Sequence, residues 1–164
     1  SSMVKYKTYV LKRMNMPFTI VFVRDNFDET LIEALNRVVN EIDKYLKNVE
    51  EKFSPFLPDS LVSKHTDIGE VLQEDFFDLE YQEVYSRSII AKKETHGLFN
   101  PFFGGKYNPT GFVKGWAIEN AFMKYIKPLI DNNIIEAGAI NGAGDMQVGT
   151  KSKGVLFTCP EAIC

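Results

Sequence analysis

The longest regular signal in the chain is a run of apolar residues at three-to-four spacing: Leu31, Leu35, Val38, Ile42, Tyr45, Leu46, Val49 and Phe53. That period lines one face of an α-helix of about six turns. Glu33, Arg37, Glu41, Lys44 and Lys47 fall between these positions and read as the solvated face. Asn26-Phe27-Asp28-Glu29, just upstream, resembles a capping box. A helix this long with one apolar face has to bury that face against a second layer. The preceding residues can supply one. Val4 to Arg13 alternates weakly, and Pro-Phe-Thr-Ile-Val-Phe-Val-Arg from Pro17 to Arg24 is rich in β-branched and aromatic residues. These read as two antiparallel strands joined near Asn15-Met16-Pro17, with the long helix lying across their sheet. Met14 falls at the corner, where its soft side chain can pack or face a flat ring.

The 164 residues suit one domain, here 3–164, and 45% hydrophobic content is enough for a sizeable core. A net charge of -3 gives no footprint for nucleic acid or an anionic membrane surface. No run of eighteen apolar residues occurs, so no spanning helix is expected. Ser1-Ser2-Met3 does not read as a signal peptide. A soluble chain is expected, with its compartment open. Cys159 and Cys164 lack a usual zinc spacing and read as a local disulfide or two idle thiols.

After the long helix, Phe53-Ser54-Pro55-Phe56-Leu57-Pro58-Asp59-Ser60 forms a proline-stiffened loop. Phe56 reads as a core plug in preference to an exposed aromatic shelf, and Asp59-Ser60 as a cap for Leu61 to Lys64. His65 is expected in solvent. Asp67 to Leu72 suggests a short helix. Asp75 to Lys93 suggests another, with Phe77, Tyr81, Val84, Tyr85 and Ile89 on one side. Ten of the eleven glycines lie from Gly97 onward, so the first half reads as scaffold and the second as ligand-bearing loops. His96 could act as a base, but nothing assigns it a partner. Gly111-Phe112-Val113-Lys114-Gly115-Trp116-Ala117-Ile118-Glu119-Asn120 takes a loop into an amphipathic helix. It is expected to open at Val113, run through Leu129 and end near Asp131-Asn132-Asn133. Lys114 at such an entry, with backbone N–H groups and the helix dipole, suits an anionic ligand; the alternative is an ordinary helix start. Ile134 to Ile140 reads as a buried strand. Asn141-Gly142-Ala143-Gly144-Asp145 reads as a hairpin turn or as a backbone nest with an acid, and Val155 to Thr158 as a final strand. The pattern favours α+β with a largely antiparallel sheet packed against long helices.

Taken in order, Met14 with Pro17-Phe18, the Phe53 to Ser60 loop, Gly97-Leu98-Phe99-Asn100-Pro101, Gly111 to Glu119, and Asn141 to Asp145 resemble the ApbE family of FAD:protein FMN transferases. The resemblance implies a T-fold-like FAD-binding domain that uses Mg²⁺. It also implies transfer of FMN from FAD, with release of AMP, to a Thr or Ser of an acceptor flavoprotein. On this resemblance Met14, Phe56, Leu98, Phe99, Asn100, Lys114 and Asn120 match cofactor-contacting positions. Phe56 stands where the family has tyrosine, and Asn100 where Asp is usual. Ala117 matches the residue whose carbonyl binds the metal, and Asp145 the acid of the Gly-Gly-Asp turn. No catalytic residue is assigned. The family's chains are longer, and their later His-x-x-x-Asp-Pro-x-Thr-Gly stretch, with an Asp and a Thr of the metal site, is not in this sequence. An unpaired sheet edge is therefore expected. A homodimer, a non-catalytic flavin-binding module, and a subunit whose metal site a partner chain completes all stay open.

Overall fold

In a computed structural model, residues 3–64 and 78–151 are described. His65, the Asp67 to Leu72 helix, Asp75 to Phe77, the Val155 to Thr158 strand and both cysteines lie outside them. The described residues fall into two compact units, 3–47 with 117–151, and 48–64 with 78–116.

The first unit is built on a four-stranded antiparallel sheet in the order β1 (Lys5–Arg13), β2 (Met16–Arg24), β3 (Ala137–Gly142) and β4 (Asp145–Thr150). The expected hairpin is present: β1 and β2 pair from Lys5↔Arg24 to Arg13↔Met16. Met14 and Asn15 form its two-residue turn with φ of 53° and 58°. Positive φ at both central residues matches the twist of the flanking strands. The expected strand at Ile134 to Ile140 is displaced to Ala137–Gly142, because Ile134 and Ile135 still close the preceding helix, donating their N–H groups to Leu129.

The long helix α1 spans Glu29–Phe53, and Asp28 Oδ1 caps it by accepting from the Leu31 N–H at 2.8 Å. Its buried stripe is Leu31, Leu35, Val39, Ile42, Leu46, Val49 and Phe53. Val39 takes the place expected for Val38, since both satisfy the helical period and packing selects between them. Along the sheet-facing stretch, Tyr9 Oη donates to Asn36 Oδ1 at 2.7 Å, and Arg13 makes a two-pronged contact with Asp43 at 2.8 and 2.9 Å. The same sheet face carries Phe18, Ile20, Phe22 and Ile140, all fully buried.

A second helical stretch packs on that face through Phe122, Ile126 and Ile130. Helix α3 (Thr110–Ala121) passes through a π-helical turn, Phe122–Ile126, into α4 (Lys127–Asp131). The π turn is accommodated by missing side chains on the sheet. A Cβ on Gly138 would stand 2.6 Å from Ile126 Cγ2, and one on Gly149 2.7 Å from Phe122 Cζ.

In the second unit, α2 (Leu79–Glu94) is capped by Asp78, whose side chain accepts from the Tyr81 N–H. Buried Tyr81, Val84 and Ser88 face an aromatic cluster in which Phe53 stacks on Tyr81 at 5.9 Å and Trp116 meets Phe53 edge-on at 5.7 Å. Lys52 Nζ bridges Asp78 at 2.9 Å and Glu80 at 2.7 Å, tying the end of α1 to the start of α2.

These ion pairs make stability depend on pH. The Arg13 hydrogen bond holds the Asp43 carboxyl below its ordinary range. Burial pushes Asp78 up, but the Tyr81 N–H and Lys52 more than offset it, and the net shift is downward. A carboxylate whose folded pKa is depressed contributes stability that is present above its unfolded value and lost as pH falls through the folded one. Thermal melts should therefore show Tm declining as pH drops below about 4. Asp43→Asn should flatten its share of that decline, and an unchanged slope in the variant would contradict the assignment.

Candidate functional site

The first unit gathers two of the expected ligand positions at one end of its sheet. The β1–β2 turn carries Met14, and the β3–β4 turn carries Asp145. Pairing of Phe18 with Gly142 puts both turns at that end. Two strand spacings separate them, roughly 10 Å. The second turn is a tight hairpin in which Gly142 faces Asp145 and Ala143 and Gly144 have φ of 50° and 85°. Gly142 has no room for a side chain, since a Cβ would lie 2.7 Å from both Met16 Cε and Phe18 Cδ1. Asp145 is exposed at the rim. In the same unit Ala117 is fully buried, and Asn120 donates through Nδ2 to Tyr45 Oη at 3.1 Å, with the Tyr45 and Tyr125 rings 6.2 Å apart. Asn120 is thus already engaged by the protein.

The second unit holds the remaining positions. Ser60, almost fully buried, ties the proline loop together: its Oγ donates to Ser54 O at 2.6 Å and accepts from the Ser63 N–H at 3.0 Å. It thereby caps the 61–64 turn as expected. Phe56 is not a core plug. It is 78% exposed, because the loop it rides on is closed by serine hydrogen bonds and buries Val62 instead. The neighbouring loop is equally built from local bonds. Thr95 Oγ1 accepts from the Phe99 N–H at 3.0 Å, Asn100 Oδ1 from the Phe102 N–H at 3.0 Å, and Pro101 O from the Asn108 N–H at 2.6 Å. Leu98 is held out in solvent, 94% exposed. Phe99 is half-buried against Phe112, with ring centres 6.5 Å apart, and Arg87 lies over the Phe112 ring at 5.4 Å. His96 sits in the turn after α2 with φ of 52°, exposed, where its backbone N–H closes onto Lys93 O. That is a helix-ending role.

The helix bearing Lys114 starts at Thr110, earlier than the expected Val113. Asn108 Oδ1 accepts from the Thr110 N–H at 3.1 Å, and the Val113 N–H already donates to Pro109 O. The uncommitted amides at the helix mouth therefore belong to residues before Val113, and Lys114 stands one turn inside. Asn108-Pro109-Thr110 was the legible signal for this start, a polar cap followed by proline at the first turn. Lys114 is half-buried and makes no ion pair among the described residues. Trp116, two residues on, points about 200° around the helix from it. Trp116 belongs to the aromatic core, where its Nε1–H is buried without an acceptor among the described residues. Deeper in that core Tyr107 Oη and Ser88 Oγ lie 3.1 Å apart, and burial raises the Tyr107 hydroxyl far above its ordinary pKa, keeping it neutral.

Among the described residues no group of three His, Cys, Asp or Glu side chains could hold a metal ion. Asp145 is the one carboxylate among the expected ligand positions. These residues do not by themselves make a magnesium site, since that ion demands near-octahedral oxygen ligation.

No family model and no curated protein matches the sequence. Solved structures do match it. The ApbE flavin transferase from Vibrio cholerae superimposes with a TM-score of 0.61 over 89% of this chain and 60% of that one, at 14% identity. A single-residue mutant of the same enzyme gives a TM-score of 0.60 over 88% and 62%, at 12% identity. The apo flavinyl transferase ApbE of Pseudomonas stutzeri gives 0.63 over 88% and 58%, at 11% identity. The fold is that of the ApbE flavin transferases. This chain spans about three-fifths of the length of those enzymes. The α+β class expected from sequence, a largely antiparallel sheet against long helices, is the class of this ApbE fold. No helix among the described residues is long and apolar enough to cross a membrane.

Proposed function

We propose that the chain binds FAD and takes part in moving its FMN part to a Thr or Ser hydroxyl of an acceptor protein. The observation that carries this reading is the ApbE fold over 89% of the chain. Local geometry supports it in each unit. Met14 and Asp145 stand on adjacent turns at one sheet end. Phe56 and Leu98 are presented to solvent on loops stiffened by internal hydrogen bonds, which is how an apolar wall for a flat ring is preorganised. Lys114 supplies a cation for a diphosphate one turn inside a helix mouth. In the transfer, the acceptor hydroxyl oxygen bonds to the FMN phosphorus, the anhydride bond breaks so that AMP leaves with the bridging oxygen, and the hydroxyl proton passes to solvent. The described residues contribute binding, ring orientation and positive charge. Phosphoryl transfer rests chiefly on positioning and charge neutralisation.

The second reading is binding of flavin without transfer. One experiment separates the two. The protein is incubated with FAD, Mg²⁺ and a Thr-bearing acceptor peptide, while visible absorption reports bound flavin and mass spectrometry reports the peptide. An FMN-sized mass gain supports transfer. Bound flavin with an unchanged peptide supports the second reading, and no bound flavin removes both.

Phe56→Ala tests the wall. Since the side chain is exposed, stability should change by no more than the ~0.5 kcal/mol expected of surface substitutions. FAD affinity should fall several-fold, matching roughly 0.5–1.5 kcal/mol for an aromatic contact. Titration by flavin fluorescence checks it, and unaltered affinity would place the ring outside the ligand's reach.

A further inference from the structure

The outer strand β1 lies at one edge of the sheet. Among the described residues it has β2 as its one strand neighbour, and its nine residues pair with β2 in unbroken register, without bulge or proline on its own side. Its outer backbone groups are thus a straight, regular template for one more strand. Two features say what that strand is. Lys5, Lys7 and Lys12 make no ion pair among the described residues, in a protein of net charge -3. On the face away from α1, Tyr6 and Val10 are 49% and 59% exposed with Thr8 between them, apolar anchors beside an open edge. A second copy of β1 is a poor occupant. Antiparallel self-pairing centred on Tyr9 would set Lys5 directly against Arg13 of the other copy, and like charges opposite one another are destabilising. Lysines on an edge strand ordinarily serve only to repel other strands, but that duty does not require two large apolar side chains left in solvent beside them.

We propose that β1 docks an extended acidic segment of a partner protein by strand addition. Main-chain hydrogen bonds along Lys5–Arg13 hold the segment, its carboxylates meet Lys5 and Lys7 on the face toward α1, and its apolar residues cover Tyr6 and Val10 on the other. This does not rest on the flavin reading, because every residue involved lies in β1.

The test uses the full chain and a fluorescein-labelled nonapeptide of alternating glutamate and valine, with the lysine–valine peptide as comparison. Anisotropy should show saturable binding of the glutamate peptide that weakens as salt rises, and none of the lysine peptide. The Lys5→Glu, Lys7→Glu double variant should bind the glutamate peptide at least about tenfold more weakly. Lys47→Glu with Lys93→Glu, exposed cations elsewhere, should bind it unchanged. Hydrogen exchange should show new protection of β1 amides in the complex. Equal binding of both peptides, no binding, or binding with no added protection in β1 would each overturn the proposal. The last result would reduce the lysines to a charged surface.

Discussion

Gly138→Ala is expected to destabilise the protein by about 1–3 kcal/mol, the range for forcing extra volume into a packed core. Alanine would ordinarily be the better strand residue, so its intrinsic preference favours the substitution. Packing decides the sign. The new Cβ would stand 2.6 Å from Ile126 Cγ2 and 3.1 Å from Ile135 Cδ1. Ile126 Cγ2 is a branch methyl fixed next to the backbone of a fully buried residue, and it sits in the π turn, so it cannot swing aside. For a chain of this size the cost appears as a Tm lowered by roughly 2–4 °C per kcal/mol. Ile126→Ala alone should also destabilise, by about 2–5 kcal/mol, through the cavity it leaves. The double variant should be more stable than the sum of the two singles, because the inserted methyl fills part of that cavity. Strict additivity in thermal or denaturant melts would mean the two residues do not touch.

Lys114→Ala should weaken FAD binding by roughly 10- to 100-fold, the loss of a charge-assisted contact to a phosphate. Lys44→Ala is the matched control. Lys44 is exposed on α1 and pairs at 3.4 Å with Glu41, three residues away, so its removal should leave binding unchanged and shift stability by no more than about 0.5 kcal/mol. Affinities of both variants at two ionic strengths would settle the point. The Lys114 variant should show the flatter salt dependence, and equal small losses would remove Lys114 from the proposed ligand contacts.

Much of the architecture was legible because it depends on local periodicity. The α1 stripe, the β1–β2 hairpin with Met14 at its corner, and the Asn141 to Asp145 turn all follow from side-chain patterns within a few residues of one another. The differences have several causes. Phe56 carries the same apolar side chain whether plugged or exposed, and its loop is held shut by local serine hydrogen bonds that leave the ring outside. The start of α3 was misplaced because glycine at 111 and 115 looked like loop, whereas Asn108 and Pro109 had already closed the first turn. The π turn has no sequence signature. It packs closely over Gly138 and Gly149 on the facing strands, far away in the chain.

By itself, the sequence determined that a long one-sided helix must cover a sheet, that the sheet opens with an antiparallel pair, and that glycine-rich turns follow. Those conclusions need only the helical and strand periods and the cost of exposing an apolar stripe. The tertiary structure alone decided which valine of α1 is buried and that the Met14 and Asp145 turns share one end of the sheet. Each depends on which surfaces meet, and that is a property of strand order and of contacts between residues distant in the chain.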